Sequence, residues 1–379
     1  MYNHPIWIMS SAFPMMQVED LVKTATHIGA QGIDLCVFRK NGTRNDHIAT
    51  HLDYDSFELE DAYRLLALFN NAQLHLSLGA FENLIGGDEA ERRKNQDHLL
   101  KLIRIAHLLG GNENNIKVGT FVGYDHVLGV QENGFQKNID AYQRIFLPII
   151  KYAEDLGVTI LYENCPMEGW RPPTYTTTFN NLSAVLAARK LMYAAIPSTA
   201  HGEIYDPSHD VWQNTSPVDV IRASDVTRVH RIHVKATRNL MNADRTHWGG
   251  MYPMQAVDEV LAKKAEIPFA TDAWNRHHYE AMLPGFGGSD SMDWRAFIEA
   301  LQAKGYHGPF EIENEAQNSK NTQNIAATIQ GFQAACLFLA PMLWPLSSDG
   351  YQYDNQSYRP LHTLINKSIP VVNMDQILP

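Results

Sequence analysis

Cysteine is scarce in this sequence: Cys36, Cys165 and Cys336 are the only three, each far from the others. Their spacing forms neither a zinc knuckle nor a disulfide ladder, and the odd count suits a reducing compartment. Basic charge is also short, with 31 Lys and Arg against 42 Asp and Glu and a formal net charge of −11. A phosphate backbone needs a basic footprint, so this balance argues against nucleic acid as a partner and leaves a small polyol open. No GxGxxG or GxxxxGK[ST] follows an early strand candidate, which removes motif support for a doubly wound nucleotide-binding sheet. MYNHPIWIMSSAFP has no basic region leading into an apolar run, so no signal peptide is expected and a cytoplasmic location is. The most apolar segment, FQAACLFLAPMLWPL at 332–346, reads as too short to span a bilayer and is interrupted by Pro341. It is expected to be a buried helix ending near that proline, with no membrane partner.

What is present is core-forming material, 45% hydrophobic and 10% aromatic over 379 residues. Length alone suggests two or three domains, but barrels hold such a chain in one. Short β-rich runs alternate with longer helical ones. The strand candidates are PIWIMSS (5–11), GIDLCVF (32–38), QLHLSLG (73–79), NIKVGTF (115–121), VTILYEN (158–164), HGEIYDP (201–207), RVHRIHVKA (228–236) and PFEIENE (309–315). Between them, VEDLVKTATHIGA places Leu21, Ala25 and Ile28 at helical spacing, and other helical runs stop at Gly110, Gly157 or Gly305. Eight strands with intervening helices predict a (β/α)8 TIM barrel over 1–345. An insertion after the seventh strand, at about 237–283, contains Trp248 and Trp274, two candidates to cover a sugar's apolar face. Residues 346–379 read as a C-terminal tail packed on the barrel.

Barrel chemistry sits at the carboxyl ends of strands. Glu163 after VTILY, Asp206 after GEIY, His233 within VHRIHVKA and Glu313 within FEIENE all qualify. Three carboxylates and an imidazole form an oxygen/nitrogen set suited to Mn²⁺, Mg²⁺, Zn²⁺ or Co²⁺, and the lack of thiolates disfavours a structural zinc site. Each residue alone has a plainer reading: a loop carboxylate, a turn at Asp206-Pro207-Ser208, a hydrogen-bonded core histidine. Their convergence on several strand ends favours the cation, because three unneutralised buried carboxylates would repel. Glu311 shares Glu313's strand face, as does Glu315, so parity does not separate them. His209 is a further ligand or substrate donor. Lys235 would neutralise an enediolate oxygen, and His75 is a mid-strand candidate. Cys165 has no adjacent base in the sequence.

In order along the chain, GIDL (32–35), GVTILYENCP (157–166), IYDPSH (204–209), RIHVKA (231–236), PGFGGSDSMDWRAFIEAL (284–301) and GYHGPFEIENE (305–315) resemble the sugar phosphate isomerase/epimerase family, the xylose isomerase-like barrels. The resemblance covers roughly 5–335. It implies Glu163, Asp206, His233 and Glu313 as metal ligands, and His209 as a substrate contact. It also implies Glu163 and Glu313 as the acid/base pair working across a cis-enediol. A homodimer or homotetramer is a further implication. The sequence departs where the family's H-x-K-D becomes His233-Val234-Lys235-Ala236. Arg238 falls one short of the epimerases' substrate arginine, and Glu168 one short of their second glutamate. The expected activity is a divalent-metal-dependent isomerase or epimerase of a sugar. The alternatives are a dehydratase of a keto-inositol or related polyol, and a non-catalytic sugar-binding barrel.

Overall fold

The eight apolar runs all become strands, each shorter than its run because the polar flanks turn into loops. This computed structural model describes residues 3–42, 48–167, 170, 179–213, 215–239, 259–264, 266, 279–285, 292–316 and 324–378. The strands are β1 (Ile6–Met9), β2 (Gly32–Cys36), β3 (His75–Gly79), β4 (Val118–Thr120), β5 (Ile160–Glu163), β6 (His201–Tyr205) and β7 (Val229–Val234). After them come β8 (Ala236–Asn239), β9 (Tyr279–Met282) and β10 (Phe310–Ile312). All pairings in the main sheet are parallel, and it closes in the order β1-β10-β7-β6-β5-β4-β3-β2. The fold is the expected (β/α)8 TIM barrel. Its strands are buried on both faces, as a parallel sheet wrapped by helices requires.

The first helix, Val18–Ile28, buries Leu21, Val22, Ala25 and Ile28 against the barrel and ends at Gly29 with φ 90°. Gly110, Gly157 and Gly305 also adopt positive φ, at 95°, 62° and 82°, where glycine carries no Cβ penalty.

Three expectations need correction. RVHRIHVKA is not one strand. The last barrel bond it makes is Glu313 N–H to the Val234 carbonyl, and from Ala236 the chain pairs antiparallel with β9 instead. The connection after β7 is therefore bracketed by a hairpin, in register from Ala236↔Met282 to Asn239↔Tyr279. Second, Pro341 lies inside the helix Ile325–Leu343, whose 19 residues are long and apolar enough to cross a membrane by length and composition. Proline has no N–H, so Pro341 leaves the carbonyl of the exposed Leu337 without an intrahelical donor, and the helix ends two residues later. This helix buries Phe332, Ala335, Leu339 and Leu343, and Phe332 stacks on Phe13 at 5.5 Å. Third, His75 opens β3, so it stands at the amino end of the barrel, where its ring stacks on Trp7 at 5.8 Å and meets Tyr358 edge-on at 5.4 Å. That is the end opposite the strand termini that carry barrel chemistry, so a substrate role for His75 is withdrawn.

Tyr358 belongs to the segment after Leu343, which runs along the helices Leu59–Ala72 and Glu89–Leu108. Asn70 exchanges two hydrogen bonds of 2.7 Å with the Leu361 backbone, and Asn114 donates to the His362 carbonyl at 2.8 Å.

The helix Glu89–Leu108 also carries His98, edge-on to Tyr54 at 4.4 Å. Burial, with Arg39 and Lys101 nearby, pushes its imidazole down to about 3. A base whose folded pKa lies below its unfolded value of about 6.5 stabilises the fold above that pH and loses the contribution as pH falls. His98→Gln is therefore expected to remove about 2 kcal/mol of the stability lost between about pH 6 and 4.5. Urea unfolding at the two pH values measures this; an unchanged acid loss in the variant would contradict it.

Candidate metal centre

Two adjacent strands build most of the site by simple alternation. Along β7 and just beyond it, Arg231, His233 and Lys235 share one face. Along β10 and its exit, Glu311, Glu313 and Glu315 share another, with Glu311 in register with His233. Glu163 ends β5, and its carbonyl accepts from Ser183 Oγ at 2.5 Å. Asp206 follows β6 directly. The Asn164 side chain accepts from the Asp206 N–H at 2.7 Å and donates to its carbonyl at 3.0 Å, fixing that turn. Asp206 is also the helix cap that a plain reading allows: Oδ1 accepts from the Ser208 N–H at 2.8 Å. One oxygen caps the helix Pro207–Trp212, and Oδ2 remains for the site.

Glu163, Asp206, His233 and Glu313 each bring a ligand atom within 4.8 Å of the others, all four side chains buried. Donors about 2.0–2.2 Å from a common ion must lie within about 4.4 Å of one another, so a small contraction suffices. The donor set fits a divalent ion. His233 Nδ1 and Asp206 Oδ2 are buried with ionic neighbours but no well-aligned hydrogen bond, and the charge of three carboxylates calls for a cation.

The surrounding contacts show how the protein balances that charge. Lys235 Nζ lies 3.0 Å from Asp206 Oδ2, 2.9 Å from Glu313 Oε2 and 3.1 Å from Glu315 Oε2. Burial pulls the Lys235 ammonium down, but Asp206, Glu313 and Glu315 outweigh it and hold it well above the usual lysine value. Glu315, three residues past β10, thus meets the lysine from the chain leaving that strand. His209 Nε2 sits 3.1 Å from both Glu163 Oε1 and Asp206 Oδ2. Burial opposes its charge, while Asp206 and then Cys165 raise it well above the usual imidazole value. Cys165 thus has an imidazole beside it that no sequence spacing revealed. Burial pushes the Glu163 carboxyl up, but the charge of His233 and hydrogen bonds from His209 and His233 leave it well below the carboxylate range.

One layer deeper, Arg231 Nη1 donates to Asp34 Oδ1 at 2.6 Å and to Glu311 Oε2 at 3.1 Å. Gly79 and Gly119 leave the room: a Cβ on Gly79 would stand 2.6 Å from Asp34 Oδ2, and one on Gly119 2.9 Å from Arg231 Nη2. Burial pushes the Asp34 carboxyl up to about 7 despite Arg231.

Of the other candidates, Lys235 and His209 join the cluster and His75 does not. Arg238 has its backbone in β8, with its side chain outside what is described. Glu168, Trp248 and Trp274 lie outside the described residues. Sequence reading missed Asp34 and Arg231, and did not find an aromatic wall at the ends of β3 and β4. Phe81 stands edge-on to His233 at 6.0 Å and tilts against Phe121 at 5.1 Å, which meets Trp170 at 5.5 Å. An aromatic just past each of two strand ends, Gly79-Ala80-Phe81 and Thr120-Phe121, was the signal available.

Solved structures share the fold at low sequence identity. An L-ribulose 3-epimerase is 15% identical with a TM-score of 0.55, over 90% of this chain and 94% of its own. A protein named as a probable 3-DHS dehydratase from Bacillus anthracis is 15% identical with a TM-score of 0.56, over 88% and 98%. A 3-keto-D-glucoside 4-epimerase from E. coli is 11% identical with a TM-score of 0.55, over 88% and 100%. Comparison with curated proteins finds no match. The family description "Xylose isomerase-like TIM barrel" matches residues 22–335, and on that span the chain belongs to this family.

Proposed function

We propose that this protein is a divalent-metal-dependent isomerase or epimerase of a sugar or sugar derivative, moving a proton through a cis-enediol(ate). The observation that carries the reading is the convergence of Glu163, Asp206, His233 and Glu313, from four strand ends, within 4.8 Å. A divalent ion held by these four would act as a Lewis acid, drawing charge from two adjacent substrate oxygens. Glu163 and Glu313 are the proton carriers: one removes the proton beside the carbonyl, the other returns it. Lys235 and His209, both buried and positively charged, hydrogen-bond the oxygen on which negative charge grows. The epimerases among the solved structures support this reaction class by analogy of fold.

The same enolisation would expel a β-hydroxyl if an acid protonated it, and Lys235 or His209, beside the cluster, would be that acid. Dehydration of a keto-inositol or related polyol is therefore the second reading. A screen of ketoses, aldoses and inososes with added Mn²⁺, Mg²⁺, Zn²⁺ or Co²⁺ decides by product mass, since only dehydration changes it. An isomerised product of unchanged mass is expected; turnover that needs no divalent ion would overturn the proposal.

A further inference from the structure

His233 has a different carboxylate at each ring nitrogen. Nδ1 faces Glu163 Oε1 at 3.3 Å and Glu313 Oε2 at 3.4 Å, while Nε2 faces Glu311 Oε1 at 3.3 Å. Nε2 and Glu311 Oε1 are both buried, and the 3.3 Å contact with Glu311 is the ion pair that the described residues give Nε2. Glu311 Oε2 is taken by Arg231, which Asp34 holds from the far side. Asp34, Arg231, His233 and Glu311 are all 0–2% exposed, so bulk solvent does not reach them.

We propose that Glu311, locked by Arg231, is a positioning residue that keeps the proton of His233 on Nε2 and so presents Nδ1 to the cation. This rests on the metal-site reading above and adds which atom binds and what selects it. A neutral imidazole donates from one nitrogen and accepts at the other, and only the bare nitrogen can ligate. A carboxylate only accepts, and with Glu163 and Glu313 on the Nδ1 side given over to an ion, Glu311 is the acceptor left to the ring, so the donor is Nε2. The neighbouring group Asp34, His233 and Glu311 also falls within 4.8 Å, but the Arg231 guanidinium already supplies its positive charge.

The near-isosteric variant E311Q separates this role from mere packing. Arg231 still requires an acceptor, so the amide oxygen turns to it and the amide NH2 turns to Nε2. Nε2 must then accept, the proton moves to Nδ1, and the ligating atom is blocked. A side chain that only filled space would tolerate the change.

The test uses the full chain labelled with ¹⁵N-histidine, with His233 assigned by the resonances lost in His233→Gln. On Zn²⁺ addition to the unsubstituted protein, His233 is expected to show a protonated Nε2 and a zinc-shifted Nδ1. Calorimetric titration with Zn²⁺ and Mn²⁺ is expected to show E311Q binding about 10–100-fold more weakly. Ligation through Nε2, or E311Q affinity within about twofold of the unsubstituted protein, overturns the inference alone. Absence of stoichiometric ion binding by the unsubstituted protein overturns the metal-site reading and this inference with it. Should E311Q fail to fold, the spectrum of the unsubstituted protein decides.

Discussion

Glu163→Gln is expected to abolish turnover, by about 10³-fold or more, and to weaken divalent-ion affinity by at least about 10²-fold without unfolding the barrel. The substitution keeps shape and removes one charge. Glu163 contacts His209 at 3.1 Å and His233 at 3.3 Å, and its backbone carbonyl is held separately by Ser183. The strand end therefore stays in place while the carboxylate is lost as ligand and proton acceptor together. Metal analysis of the purified protein, turnover on the substrate identified by the screen, and circular dichroism measure the three parts. Full ion content with full turnover would remove Glu163 from both roles.

Lys235→Met should move ion affinity the other way. The ammonium is buried against Asp206, Glu313 and Glu315, so its loss takes counter-charge from three carboxylates at once. Removing one partner from a buried ionic group costs about 3–5 kcal/mol, and the metal-free variant should lose that much stability. The same ammonium competes with a bound ion for Asp206 Oδ2 and Glu313 Oε2. The variant should consequently bind Mn²⁺ more tightly than the parent, and an ion at about a hundredfold over its Kd returns about 2.7 kcal/mol. Denaturant curves with and without Mn²⁺ check both signs. Metal-free stability within about 0.5 kcal/mol of the parent, or no gain from the ion, would contradict the expectation.

The barrel was legible because each buried strand is a short apolar run and each helix repeats its apolar face at 3.6 residues. Four strand-end candidates for ligands could be named because they follow such runs. The choice between Glu311, Glu313 and Glu315 was not legible: a period of two places all three on one face, and only depth along the barrel separates them. Glu311 lies with Arg231, Glu313 with the cluster, and Glu315 with Lys235. Asp34 and Arg231 looked like ordinary strand residues, because the glycines that make space for them lie on other strands, at Gly79 and Gly119. His75 misled because the run QLHLSLG does not show where its strand begins: β3 opens at His75, so a mid-run residue stands at the amino end.

The hairpin of β8 and β9 begins one residue after Lys235 and sets Asn239 beside Tyr279. Everything between those two residues leaves and rejoins the barrel at neighbouring points. The entropy of closing such a loop grows only slowly with its length, about 0.6 kcal/mol per doubling. A change in that segment's length therefore adds little closure entropy at the hairpin. The barrel rim thus has one narrow point of exit and return, with Lys235 one residue inside it.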